Sequence, residues 1–126
     1  MSVKKNKETL QRTFEEVWNK GNWDVIPELI SPKYDHGNWN GLSGYKELVS
    51  QYRNAFPDLK TEIEQVIGEG DWPASRFSIK GTFRGKFANI EPTGKEVKWI
   101  QVAFTQYKDG KVLTNVPIVD SQNVYQ

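Results

Sequence analysis

A chain of 126 residues with 17 basic and 16 acidic side chains, scattered rather than blocked, has no electrostatic footprint for a nucleic-acid groove or a membrane surface. The lack of cysteine excludes a disulfide framework, a thiolate nucleophile and a thiolate metal site, and one histidine argues against a histidine-based zinc centre. The length suits one domain burying roughly two-thirds of its unfolded surface in a single core, with no cofactor expected.

In chain order, Leu10, Phe14, Val17 and Trp18 recur at helical spacing and Gly21 follows as a stop, so 7–20 reads as an amphipathic helix with Asn6 as its cap. Asn22 or Asp24 caps a short second helix through Ile30, with Pro27 in its first turn and Ser31-Pro32 ending it. Tyr34-Asp35-His36 is a brief extended piece before a polar loop over 37–41 that carries Trp39. Ser43 is the expected cap of a third helix with an apolar stripe of Tyr45, Leu48, Val49, Tyr52 and Phe56, stopped by Pro57. From Lys60 the period changes to two. A strand carries Ile63 and Ile67, a turn spans 70–73, and Arg76 to Phe83 forms the next strand, with Phe77, Ile79 and Gly81 on one side.

Two β-rich runs from Glu96 to Asp120 flank Asp109-Gly110, a strong hairpin signal. A two-residue turn would set Val102 opposite Pro117. A three-residue loop Lys108-Asp109-Gly110 sets Val102 against Val116, Ile100 against Ile118 and Lys98 against Asp120. The second register gathers apolar residues and pairs a charge, so it is the one expected. Its other face carries Trp99, Gln101, Ala103 and Thr105 beside Leu113, Asn115, Pro117 and Val119, either the wall of a small-molecule pocket or a partly solvated surface. Pro117 cannot donate to a ladder and implies an edge strand or a bulge.

Three helices followed by four long, mostly antiparallel strands define an α+β protein in which a curved sheet packs its concave face on helices. Five tryptophans, five tyrosines and six phenylalanines suit an aromatic-lined cavity there. Its candidate walls are Phe14, Trp18 and Trp99, with Gln101 and Asn115 orienting a carbonyl or water and Trp39 covering the mouth. Arg76 either anchors an oxyanion in the pocket or pairs in solvent with Glu62 or Glu64. His36, whose ordinary pKa lies near neutrality, is the first candidate for proton transfer; its plainer reading is a hydrogen-bonded loop histidine. The outer sheet face, with Ile100, Val102, Phe104, Val116 and Ile118, suits a homodimer interface. No apolar run reaches membrane-spanning length and the start lacks a signal-peptide pattern, so a cytoplasmic protein is expected.

Several segments resemble SnoaL-like polyketide cyclases of the nuclear-transport-factor-2-like (cystatin-like) superfamily: FEEVWNKGNWD from Phe14, ELISPKYDHG from Glu28, GLSGYKEL from Gly41, FPDL from Phe56, GTFRGKF from Gly81 and PTGK from Pro92. The resemblance runs over nearly the whole chain. It implies a cone-shaped α+β fold binding a small apolar or carbonyl-bearing molecule, with Phe14, Trp18 and His36 at the pocket. It also implies that the catalytic histidine and aspartate of those enzymes fall at Ala103 and Pro117 here, where Thr114-Asn115-Val116-Pro117 replaces their usual Glu-x-Trp-Asp. The cyclising acid is absent. Two alternatives follow, cofactor-free acid–base chemistry through His36 or a binding module without turnover.

Overall fold

A computed structural model describes residues 3–68 and 72–119. Its elements are α1 (Val3–Arg12), a π-helical turn (Thr13–Trp18), a 3-10 turn (Trp23–Val25), α2 (Ile26–Leu29), β1 (Asp35–His36), β2 (Trp39–Asn40), α3 (Gly41–Ala55), β3 (Lys60–Ile67), β4 (Ala74–Thr82), β5 (Glu96–Lys108) and β6 (Lys111–Val119). β1 and β2 form a small antiparallel ribbon, and the main sheet is antiparallel in the order β3-β4-β5-β6.

The first helix begins earlier than its apolar spacing suggests. Asn6 lies inside it, with a buried Oδ1 that has no hydrogen-bond partner, and is not a cap. At Thr13 the helix widens, and Asn19 N–H donates to the carbonyl of Phe14, five residues back, at 2.9 Å. The Thr13 hydroxyl donates to the Thr9 carbonyl at 2.7 Å, a back-bond of the kind that bends helices. The third helix starts at Gly41 after an extended Asn40, so Ser43 sits within its first turn rather than at the cap.

The last hairpin differs from the three-residue loop that side-chain matching favours. Asp109 and Gly110 both have positive φ (53° and 77°) and make the two-residue turn, with Lys108 opposite Lys111. A bulge at Leu113 then shifts the pairing, so Val102 faces Ile118 and Phe104 faces Val116. Beside the bulge, Ser31 N–H bonds the Val112 carbonyl at 2.8 Å, tying the strand to the end of α2. From Thr114 onward the register lies two residues from expectation, a slip that keeps side chains on their expected faces, while between the bulge and the turn the slip is one and Val112 replaces Leu113 on the inner face. The expected Lys98–Asp120 pair involves Asp120, outside the described residues.

Two buried clusters fill the space between helices and sheet. One gathers Leu10, Phe14, Phe56, Phe77, Ile79 and Trp99; the other Val17, Ile26, Leu29, Tyr34, Tyr45, Val49 and Val112. Trp18 packs against both. Outside the sheet, Ile67, Ala74, Phe104 and Val116 stand in register across all four strands, with Ile67, Phe104 and Val116 exposed.

Candidate functional site

A small cavity lies at the seam of the two clusters. The π-helical turn supplies Phe14 and Trp18 to its wall, α3 supplies Tyr45, β4 supplies Ser75 and Phe77, β5 supplies Gln101, Ala103 and Thr105, and β6 supplies Val112 and Asn115. Period-two alternation aims the β4 and β5 residues inward, the bulge at Leu113 brings Val112 and Asn115 to the same face of β6, and one helical face aims the others back at them. Its volume is about 40 Å³, room for roughly two or three waters. That is far below the roughly 300 Å³ at which drug-sized pockets begin. The roomy cup that the aromatic content suggests is largely filled by those aromatics.

No side chain lining the cavity is an acid, a histidine, a lysine or an arginine. The polar groups are instead tied from behind through their acceptor atoms. Trp18 Nε1 donates to the Tyr45 hydroxyl at 2.9 Å. The Tyr34 hydroxyl donates to Asn115 Oδ1 at 2.8 Å, and Trp99 Nε1 reaches Gln101 Oε1 at 3.4 Å. Each contact leaves a donor unspent: the Tyr45 O–H, the Asn115 amide N–H and the Gln101 amide N–H. Burial pushes the Tyr45 phenol well above its ordinary value, against a smaller lowering by the Trp18 hydrogen bond, so it stays protonated. Ser75 Oγ is buried without a protein partner and borders both this cavity and a hollow of about 10 Å³ beside Asn6.

Of the residues singled out by sequence, Phe14, Trp18, Gln101 and Asn115 meet at the cavity. Trp99 and Gln101 both face inward, at 2% and 9% exposure. Trp99, however, is a core residue packed on Phe56 (ring centroids 5.4 Å) and reaches the cavity only through Gln101. Arg76 stands on the outer face, half exposed, 3.5 Å from Glu64, because even-numbered residues of β4 point away from the helices. Trp39 pairs with His36 in the β1–β2 ribbon and packs on the second cluster, away from the cavity. His36 Nδ1 lies 2.9 Å from the Asn115 carbonyl oxygen, an atom that can only accept, so this nitrogen carries the proton. That bond holds the ribbon to β6, and His36 does not line the cavity.

Sequence reasoning missed Tyr45 and Ser75 as site residues. Tyr45 sits in an apolar helical stripe, where nothing distinguishes its hydroxyl from a core tyrosine's. Ser75 is legible by extending the Phe77–Ile79 alternation back by two. Ala103 and Pro117, the positions to which the resemblance carries the cyclase histidine and aspartate, are direct partners across β5 and β6. Among the described residues no cluster of three or more His, Asp or Glu side chains could hold a metal, and no helix is long and apolar enough to cross a membrane.

The profile of the SnoaL-like polyketide cyclase family matches residues 8–126. A Jannaschia sp. CCS1 protein named for SnoaL-like polyketide cyclases is 27% identical with a TM-score of 0.86, the alignment covering 99% of this chain and 93% of that one. An Acidithiobacillus ferrooxidans protein named for polyketide cyclases is 30% identical with a TM-score of 0.82, covering 100% and 96%. TsrD from Streptomyces laurentii, 16% identical, shares the fold at a TM-score of 0.91 over 99% and 95%. No curated protein matches the chain.

Proposed function

The chain belongs to the SnoaL-like polyketide cyclase family, and from that membership we propose that it binds a small, largely apolar, carbonyl-bearing molecule without acting as an acid–base cyclase. The observation that carries this reading is the set of unspent donors, Tyr45 O–H, Asn115 N–H and Gln101 N–H, around an otherwise apolar cavity. A carbonyl oxygen accepts from such donors, and an apolar molecule lacking an acceptor would leave them unpaired at a cost of about 1–3 kcal/mol each. Cyclisation requires a proton donor near neutral pH. Ala103 and Pro117 supply none, and no acid, histidine or lysine lines the cavity. On this reading His36 is a strap between the ribbon and β6 rather than a base.

Acetone and isobutene, which share a shape but differ in the oxygen, test the reading in an NMR titration that follows the side-chain amides of Gln101 and Asn115. Acetone is expected to shift both amides saturably and isobutene to leave them unmoved. Equal responses would remove the carbonyl assignment. Proton exchange at the acetone methyls that is faster with protein, and lost in His36→Ala, would restore a catalytic role to His36.

The reading includes a homodimer through the outer sheet face. Ile118 is 59% exposed, Ile67 57% and Val116 52%, exposed apolar side chains on one sheet face of the kind that association covers. Sedimentation at micromolar concentration is expected to give a dimer that Val116→Lys with Ile118→Lys converts to monomer.

A further inference from the structure

Phe14 belongs to two spaces at once. It lines the 40 Å³ cavity, and it also lines a groove of about 500 Å³ between α1 with its π-helical turn and the edge strand β3. The groove has an apolar floor of Phe14, Ile63 and Val66, and a rim in which Lys7 and Lys60 offset Glu15 and Glu62. Both walls are irregular at this point. The helix is π-wound over Thr13–Trp18, and β3 carries a bulge between Ile63 and Gln65. Such irregularities concentrate where a helix or strand has been adapted to a site. Asn19 bridges the two walls through three hydrogen bonds to Thr61, which ties the turn bearing Phe14 to the strand.

We propose that the groove is the outer half of the ligand site and that the Phe14 ring is the movable partition between the halves. This rests on the reading of the inner cavity as a carbonyl site. With the ring turned away from Phe77, whose ring centroid is now 4.6 Å distant, cavity and groove become one chamber. The ligand then docks its carbonyl on Tyr45, Asn115 and Gln101. Its flat apolar body crosses the Phe14 position. The rim carries two lysines and two glutamates, so it exerts no net pull on a charge of either sign. The ligand is therefore longer than the closed cavity admits, with its far end in the groove.

The test compares acetone with 2-acetyl-6-hydroxynaphthalene on the full chain and on two groove-filling variants, Ile63→Trp and Gln11→Trp, which approach the groove from opposite walls. Folding of each variant is checked by circular dichroism, and acetone binding at the inner amides serves as the control. The naphthyl ketone is expected to bind the unaltered chain and to lose about tenfold or more in affinity in both variants, about 1.4 kcal/mol or more, while acetone is unaffected. Phe14→Leu, which shortens the partition, is expected to accelerate naphthyl ketone association. If acetone binds and the naphthyl ketone does not, or if neither groove variant weakens it, the outer half-site is overturned and the carbonyl site stands. If neither compound binds, the carbonyl reading falls and this inference with it.

Discussion

The indole of Trp18 donates a 2.9 Å hydrogen bond to the hydroxyl of Tyr45, joining the first helix to the third across the cavity wall. One oxygen thus has two duties, accepting from the indole and keeping its own proton available. Tyr45→Phe removes both. The orphaned Trp18 N–H is expected to cost about 1–3 kcal/mol in urea unfolding, and acetone binding is expected to weaken several-fold. Full retention of both would show that the hydroxyl serves neither partner.

Asn19 places its amide on Thr61, accepting from the backbone N–H at 2.6 Å and the hydroxyl at 2.9 Å while donating to the carbonyl at 3.0 Å. Thr61 is buried, so water replaces these bonds poorly. Asn19→Ala is expected to cost about 2 kcal/mol. Native-state hydrogen exchange should show the Thr61 amide losing protection ahead of β4 and β5, since β3 is an edge strand.

Asp58 caps the end of β4. The Thr82 N–H at 2.6 Å and its hydroxyl at 2.8 Å both donate to the carboxylate and hold its pKa below the ordinary 3.8. A depressed folded-state pKa adds stability that is complete above the ordinary value and is lost as pH falls through the folded one. Asp58→Asn is therefore expected to flatten the acid limb of a stability profile taken from pH 7 to pH 2. An unchanged limb would remove Asp58 from acid unfolding.

The turn at Asp109 and Gly110 carries the register of β5 and β6. Asp109 has φ of 53°, a region that β-branched residues resist. Asp109→Val is expected to cost about 1–2 kcal/mol, and Asp109→Asn to be near neutral. Thermal unfolding of the two variants side by side checks this. Equal losses would mean that the bulge at Leu113 holds the register without the turn.

The class of fold and the face of nearly every strand residue were legible in the chain, because both follow from local periodicity. Alternation along β4 and β5 aims Phe77, Ile79, Trp99 and Gln101 at the helices whatever the pairing, and even the misjudged hairpin register preserved these faces by differing by two. The family resemblance reached further, to membership of the SnoaL-like polyketide cyclase family, which the match over residues 8–126 bears out. The bulge, which lies beside a hydrogen bond from the distant Ser31, became visible only in the folded chain. Only the tertiary structure decided which inward residues share a cavity, that Trp99 is consumed by the core, that Tyr45 joins from α3, and that Phe14 divides a cavity from a groove. These depend on the volumes of side chains far apart in sequence filling one space, and no local pattern encodes that sum.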